Sequence, residues 1–324
     1  MLMAKSAPSP DLIMDCTNCS VRCQRFGKHR NGLRRFRCPQ CLRTYTEPHT
    51  LTLGEMYITE EKAILALQLL LEGNSIRSTE RITGLDRNTI MKLLVRAGEK
   101  CEKVMGRYVR NVPVKDVQAD ELWGFVFKKE KALEEGDDPT WGDTYCFVAV
   151  ERHSKLVLNF ALGKRNQATT DAFIEGLRAA TAQQPFQITT DGFVPYASAI
   201  DTTLSDRVDY AQLIKVYRAT PEGERRYSPA EVVSVEVVPV VGNPDTRRIC
   251  TSHVERQNLT IRMCVRRLTR LTNAFSKKWE NLWAAYCLHF AYYNFCRIHQ
   301  TIRVTPAMEA KITDHVWDLA ELLA

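Results

Sequence analysis

Asp120, Asp191 and Glu255 are far apart in the chain, yet each sits where a strand or a helix stripe would aim a bare carboxylate at a cleft. Asp120 precedes Leu122-Trp123-Gly124-Phe125-Val126-Phe127, an aromatic and β-branched run that predicts a central strand. Asp191 closes a second run, Phe186-Gln187-Ile188-Thr189-Thr190, and Gly192 breaks the pattern behind it. Glu255 lies early in a segment of helical periodicity, Thr251 to about Phe275. There Glu255, Asn258, Arg262 and Arg266 share one polar face, and Val254, Ile261, Val265 and Leu268 share another. Three converging carboxylates suit magnesium or manganese, which take oxygen ligands. Two such ions, about 3.5 to 4 Å apart, can activate an attacking oxygen and steady the leaving oxygen of a phosphodiester. Asp120 is expected to bridge both ions, with Asp191 and Glu255 each completing one. A lone Asp at a strand end is ordinarily a turn former, and a lone helical Glu a solvated residue. Only the three together, in this element order and behind a DNA-binding front, shift the reading to catalysis. Glu121 is a rival ligand, but strand alternation is expected to turn it to the opposite face.

A second metal-binding pattern stands near the start. Cys16-x-x-Cys19 and Cys38-x-x-Cys41 are separated by 18 residues, the spacing of a tetrahedral zinc site built from two knuckles. Thr17-Asn18 and Pro39-Gln40 supply the tight turns each pair needs. Cys23 is a spare that packs near the site, since four thiolates fill zinc's shell. The remaining cysteines, among the 11 in the chain, fall in apolar patterns and read as core. Between the knuckles, Arg22 to Arg43 hold eight basic residues and no acidic one, interleaved with Phe26, Leu33 and Phe36. The stretch predicts a hairpin that displays arginines, as a zinc ribbon would, with Arg34, Arg35 and Arg37 toward DNA.

The 324 residues suffice for two or three domains. With 44% hydrophobic and 26% charged residues, the composition is that of an ordinary globular chain. No run approaches about eighteen consecutive apolar residues, which argues against a membrane partner. The opening MLMAKSAPSPDLIMD reads as a short disordered lead rather than a signal peptide, so a cytoplasmic, nucleoid-associated protein is expected. The net charge of +7 is concentrated: residues 1–111 carry 19 Lys and Arg against 11 Asp and Glu, which leaves the remainder near neutral. A basic front suits a polyanion, because each phosphate contact releases condensed counterions. A solvated charged face is the plainer alternative.

Behind the ribbon, Thr59 caps a helix that runs through Ile64, Leu67, Leu70 and Leu71 to Gly73. A short helix from about Ser75 to Thr83 stops at Gly84, and Asp86 caps a third with Ile90, Leu93, Leu94 and Ala97 inward. Arg87, Asn88, Met91, Lys92 and Val95 then face outward, a surface suited to a major groove. Three such helices could equally form a protein-interaction bundle; the adjoining basic metal module favours DNA. After Val112-Pro113 the pattern becomes mixed. The Asp120 strand is followed by a polar insertion, Lys128 to Asp143, then by a hairpin of Tyr145–Val150 and Leu156–Leu162. Thr170 is expected to cap a helix carrying Phe173, Ile174 and Leu177, after which comes the Asp191 strand. Residues 200 to 250 are weaker in pattern, with possible strands at Leu213–Tyr217 and Val232–Val241. This order matches an α/β ribonuclease-H-like core, a mixed sheet flanked by helices, preceded by a zinc ribbon and a helical helix-turn-helix domain.

Here a resemblance becomes specific. The two CxxC knuckles, GNSIRSTERITGLDRNTI, the DELWGF strand, TTDGF, SHVERQNLTIR and YYNFCRIHQTIRVTPAMEA together resemble DDE-type insertion-sequence transposases, most closely insertion-sequence family one. The resemblance implies Asp120, Asp191 and Glu255 as the acidic triad and Arg262 as a basic DNA-contacting position; the segment from about Thr202 to Arg248 departs from the family pattern. Arg266 and Asn258 join Arg262 as expected DNA contacts, and Asn258 could instead orient a water. The expected organisation is a lead at 1–14, a zinc ribbon at 15–47, a helix-turn-helix at 55–105, a catalytic domain at 112–310 and a C-terminal helix at 311–324. The expected activity is binding of terminal inverted repeats, metal-dependent strand cleavage, and joining of the 3′-hydroxyl to target DNA. Double-stranded DNA and, by resemblance, further copies of the chain are the implied partners. A structure-selective nuclease and a DNA-binding regulator derived from a transposase are the competing readings.

Overall fold

The computed structural model describes residues 13–28, 33–47, 56, 58–218 and 232–324. The expected lead at 1–14 therefore lies outside them except for its last two residues. The chain forms two compact units, Met1–Ala63 and Ile64–Ala324.

In the first unit, β1 (Gln24–Lys28), β2 (Arg34–Arg37) and β3 (Thr44–Thr46) form an antiparallel sheet in that order. β1 and β2 are the hairpin the basic stretch predicts. Register slips between Arg25 and Lys28, where Gly27 has φ +74°, a conformation that favours glycine. Among the described residues its core is Cys16, Cys23, Phe36 and Cys38, with Met14, Cys19, Val21, Cys41 and Tyr45 packed against it. A core this small gives little stability alone, so a metal cross-link between its sulfurs would supply much of what holds it.

Helix α1 (Glu60–Leu71) crosses the division between the units. The next helix begins and ends, and the one after it begins, on the residues expected. Ser75 Oγ accepts from Ser78 N at 3.0 Å to start α2 (Ile76–Thr83), and Gly84, with φ +69°, donates to Glu80 O to close it. Asp86 Oδ1 accepts from Asn88 N at 2.8 Å to start α3 (Arg87–Tyr108).

The second unit continues with β4 (Asp116–Val126), β5 (Gly142–Glu151), β6 (Val157–Gly163), α4 (Gln167–Ala180), β7 (Phe186–Thr190), α5 (Pro195–Leu204), β8 (Val208–Tyr217) and β9 (Val232–Val241). Then come α6 (Ser252–Cys264), α7 (Trp279–Phe295), α8 (Pro306–Glu309) and α9 (Leu319–Leu322). The six strands form one mixed sheet in the order β6-β5-β4-β7-β8-β9. β4 pairs antiparallel with β5 and parallel with β7, and β8 runs parallel to β7. That order and those directions are the ribonuclease-H-like core, with β9 added antiparallel at the edge.

Both faces of the sheet are covered, and alternation along β5 shows which helix covers which. Phe147 packs on Phe173 of α4 and Tyr196 of α5. The next strand over contributes Phe160, which meets Phe290 of α7 from the other side, where α6 also lies against β4 and β5. α3 packs on the back of α7 so closely that a Cβ at Gly98 would stand 2.5 Å from Ala284 Cα.

Four expectations need correction. Asn166, not Thr170, caps α4: its Oδ1 accepts from Thr169 N at 3.1 Å, while Thr170 is buried and donates to Asn166 O. The helix bearing Glu255 ends at Cys264 instead of near Phe275. Its last turn is captured sideways, since Thr269 Oγ1 donates to Arg262 O and the Arg262 guanidinium donates to Leu268 O at 3.1 Å. The chain beyond it forms a 3-10 turn at Arg266–Leu268, which takes Arg266 off the polar stripe. The C-terminal helix expected over 311–324 is confined to Leu319–Leu322, capped by Asp318.

Candidate active site

The site begins with strand register. β4 and β7 are parallel neighbours in which Gln118 faces Thr189. Two residues further along each, Asp120 and Asp191 come side by side, just where β7 ends and its place in the sheet opens. Asp191 is turned by its own carboxylate: Oδ1 accepts from Phe193 N at 2.9 Å, an Asx turn that ends the strand at the glycine the sequence flags. Oxygens of Asp120, Glu121 and Asp191 all lie within 4.8 Å of one another.

Glu255 arrives from α6, which is fastened to β4 at its first turn. Gln118 Oε1 accepts from His253 N at 2.9 Å and Val254 N at 3.2 Å, satisfying two of the N–H groups a helix start leaves open. One turn later, Asn258 Nδ2 donates to Asp120 Oδ2 at 2.8 Å. Asn258 is thus a buried positioner of Asp120. Glu255 itself is held by Lys215 of β8, whose ammonium donates to Oε1, and by the Thr251 hydroxyl. The structure brings Asp120 and Asp191 together; Glu255 lies outside that group of oxygens, near enough for its charge to act on Asp120, and is engaged with a lysine.

Glu121 is the residue whose expected exclusion fails. Alternation does send it to the other face: its register partner is Phe147, on the α4 and α5 side. There Arg165 Nε donates to Glu121 Oε2 at 3.1 Å, and the same guanidinium approaches Asp191 Oδ2 at 3.6 Å. Because β7 stops at Thr190, nothing separates the two faces at this point, so opposite-facing neighbours reach the same opening. The Glu121 side chain is 4% exposed. Its Oε1 and the Tyr196 hydroxyl are both buried, and neither completes a hydrogen bond among the described residues.

The electrostatics follow from this crowding. Burial, reinforced by the charges of Asp191 and Glu255, pushes the Asp120 carboxyl up to about 6 despite hydrogen bonds from Glu121 N and Asn258. Burial and Asp191 push Glu121 up to about 7, with the nearby Tyr196 hydroxyl and Arg165 pulling part way back. Burial works on Glu255 in the same sense, but Lys215 and Thr251 outweigh it and hold Glu255 below the ordinary range. A cluster of hard oxygen donors that repel one another, one with an orphaned buried oxygen, is chemically suited to a divalent cation such as magnesium or manganese.

The four knuckle cysteines also converge. The sulfurs of Cys16, Cys19, Cys38 and Cys41 lie within 4.8 Å of one another, and Cys41 N donates to Cys38 Sγ at 3.4 Å in the turn of the second knuckle. The Tyr45 hydroxyl, 3.0 Å from Cys16 Sγ, helps draw that thiol down to about 6. Four sulfurs with one already inclined to ionise form a donor set that fits zinc. Cys23 is buried in the same core and outside the set, as expected.

The expected DNA contacts are placed unevenly. Arg34 is occupied by Glu47, its Nε donating to Oε2 at 2.9 Å and its N to Oε1 at 2.8 Å. Arg35 and Arg37 lean over the exposed ring of Phe26, with Cζ at 5.6 and 4.9 Å from its centroid. Arg87, Asn88 and Lys92 are exposed at the start of α3. Arg262 is turned inward, donating to Trp123 O and Leu268 O, both at 3.1 Å. Sequence reasoning missed Gln118, Arg165 and Lys215. Of these only Gln118 carried a local signal, a lone polar residue two positions before Asp120 on the same face of a strand.

A family model described as a DDE domain, of the transposase type, matches residues 141–221, a stretch that contains Asp191 but neither Asp120 nor Glu255. Curated proteins return no match. Among solved structures, the chain is similar to a piggyBac transposase synaptic complex with hairpin DNA, at 11% identity and a TM-score of 0.37, over 85% of this chain and 71% of that one. It is also similar to the Mos1 strand transfer complex, at 18% identity and a TM-score of 0.21, over 44% of this chain and 56% of that one. A mariner Mos1 paired end complex with Mg matches at 18% identity and a TM-score of 0.19, over 43% and 54% of the two chains.

Proposed function

We propose that this protein is a transposase of the insertion-sequence type, most similar to insertion-sequence family one. In this reading it binds the terminal inverted repeats of a mobile element, cleaves at their ends and joins the freed 3′-hydroxyl to target DNA. The observation that carries the reading is the meeting of Asp120 and Asp191 on adjacent parallel strands, with Glu255 of α6 near enough for its charge to act on Asp120. The DDE domain match over residues 141–221 supports it.

Asp120, Asp191 and Glu255 would hold magnesium or manganese, with Glu121 a fourth carboxylate beside them. The bound ions would activate the attacking oxygen and steady the leaving one. The chain's own residues do the positioning. Asn258 fixes the rotamer of Asp120, Arg165 ties Glu121 to Asp191, and Gln118 anchors the start of α6. Lys215 keeps Glu255 ionised and turned toward β8. Affinity for DNA is assigned to the basic front, through Arg35 and Arg37 of a zinc ribbon and through Arg87, Asn88 and Lys92 of a helix-turn-helix formed by α2 and α3. Arg34, Arg262 and Arg266 remain in the proposed contact set, Arg34 and Arg262 on condition that DNA displaces their present partners. The proposed domains are those expected from sequence: ribbon 15–47, helix-turn-helix 55–105 and catalytic domain 112–310. No helix among the described residues is long and apolar enough to cross a membrane.

The test uses a labelled element end and a target plasmid. Asp120→Ala, Asp191→Ala and Glu255→Ala should each abolish magnesium-dependent strand transfer while leaving binding of the repeat intact. Undiminished transfer in all three would sink the proposal; cleavage without joining by the unaltered protein would make it a nuclease instead.

A further inference from the structure

Beyond the carboxylates, the sheet face that carries Glu121 continues as a row of aromatic rings. Trp123 and Phe125 follow Glu121 at two-residue spacing along β4, so all three project to the same side. Tyr145 is the register partner of Trp123, as Phe147 is of Glu121. Where β7 no longer flanks β4, a bridge between Val126 and Ser276 takes up the strand edge and sets Phe275 beside Phe125. Ring centroids stand 5.8 Å apart from Trp123 to Phe125 and 4.8 Å from Phe125 to Phe275. α4 and α5 roof this face at Phe147, which is fully buried, whereas Trp123, Phe125, Tyr145 and Phe275 are only half-buried.

Cations cap these rings. Lys129 Nζ stands over the Trp123 ring, 5.6 Å from its centroid, and Arg165 Cζ over that of Tyr145 at 6.0 Å. Lys129 is exposed, so the ring face beneath it opens to solvent. Asp143, opposite Phe125, is turned to the neighbouring loop, where it accepts from Glu130 N at 3.1 Å. The segment that brings Phe275 is itself basic: residues 256–279 contain seven Lys and Arg and no Asp or Glu, and Lys277 beside the bridge is exposed. Aromatic faces capped by exchangeable cations, next to a basic segment, have the chemistry of a nucleic-acid surface. Phosphates draw off the cations, and bases stack on the rings thus uncovered. Bases within a duplex are already stacked on one another, so this surface fits bases that are unpaired.

We propose that Trp123, Phe125, Tyr145 and Phe275 form a stacking platform for unpaired bases of the DNA strand whose phosphate lies at Asp120 and Asp191. Lys129 would leave the Trp123 ring for the strand's backbone as a base takes its place. Trp123 is two residues from Glu121, roughly 7 Å along the strand, so a base seated on it belongs to a nucleotide adjoining that phosphate. The platform thereby holds the strand open beside the cut without reading its sequence, since every base has a face to stack. The inference rests on the proposed DNA chemistry of the carboxylate site.

The test titrates the full chain, without magnesium, into a short single-stranded DNA carrying a fluorescent adenine analogue whose emission falls on stacking. The strand should bind and the emission should fall. Trp123→Leu should weaken this binding about tenfold, the scale of one lost stacked base. Lys129→Glu, at an exposed position, should weaken it several-fold, and neither variant should alter the affinity for duplex DNA. If Trp123→Leu does not fold, Lys129→Glu and the emission decide. Undiminished single-strand binding in Lys129→Glu, an emission that does not fall, or an equal loss of duplex binding would each overturn the proposal. Strand transfer, assayed separately, keeps the two readings apart. A chain that stacks the base but transfers no strand loses the transposase reading alone; one that transfers strands with the base unquenched loses the platform alone.

Discussion

Replacing Asp120 with asparagine should make the metal-free protein more stable at pH 8 while destroying the site. The Asp120 carboxyl sits at about 6, against an ordinary value of 3.8, chiefly because it is buried and secondarily because Asp191 and Glu255 are near. A shift of about two units corresponds to ~3 kcal/mol of differential cost for the charged form. The sign follows from proton binding. Folded Asp120 retains its proton up to about pH 6 and the unfolded chain releases it near 3.8, so this contribution to stability is complete below 3.8 and lost as pH rises through about 6. Asparagine never ionises and escapes the penalty. It keeps only one acceptor where Asp120 has two, receiving from Asn258 and from Glu121 N, and inverting one of these bonds costs about 1 kcal/mol. The net expectation is a gain of ~2 kcal/mol at pH 8, or about 4 to 8 °C in melting temperature for a unit of this size. Urea unfolding in a chelator, at pH 8 and at pH 4, measures it. The gain should disappear at pH 4, where the folded carboxyl is protonated and the unfolded one partly so, and added magnesium at pH 8 should stabilise the wild-type chain but not the variant. An Asp120→Asn protein no more stable than wild type at pH 8, or one whose advantage persists at pH 4, would falsify the account of a site strained by its own charges.

Lys215→Met should tighten manganese binding, because the ammonium competes for Glu255; losing a part-exposed ion pair of about 1 kcal/mol corresponds to roughly fivefold in affinity by titration calorimetry, and weaker binding would show that Lys215 aids the site. Gly98→Ala gains about 1 kcal/mol of helix propensity yet should be net destabilising by about 1 to 3 kcal/mol, since its Cβ would lie 2.5 Å from Ala284 Cα; a higher melting temperature would mean that α3 and α7 separate easily. Purified protein should carry about one zinc per chain by elemental analysis, and Cys16→Ser with Cys38→Ser should remove it and unfold the first unit.

Features of this fold that depend on near neighbours were legible in the sequence. Ser75, Gly84 and Asp86 act through bonds spanning two to four residues, so α2 begins and ends, and α3 begins, where those residues predict. The β5–β6 hairpin closes locally in the same way. Asp120 and Asp191 could be placed at strand positions, but their adjacency could not, because parallel pairing joins segments some seventy residues apart through intervening elements. α7 was not anticipated because it is apolar on every side, with 13 buried residues of 17, and so has no stripe to detect. Glu121 shows a subtler limit. Alternation gave its direction correctly, yet direction decides a residue's surroundings only where the sheet continues on both sides. Lys215 and Arg165 enter the site from strands and loops whose sequence contains nothing unusual; only the assembled fold makes them matter.

The seam between α3 and α7 makes a ruler of the longer helix. Gly98 lets the two backbones touch, so α3 is seated on the layer behind the sheet and cannot swing as a tethered arm. Its 22 residues span about 33 Å at 1.5 Å per residue. Arg87, Asn88 and Lys92 occupy one end, and Met105 at the other is buried beside Asn294 of α7. On the proposed reading, the groove read by the first turn of α3 and the phosphate to be cut would stand at a separation set by the protein. Bases inserted between them would then not move the cut; they would carry the phosphate out of reach.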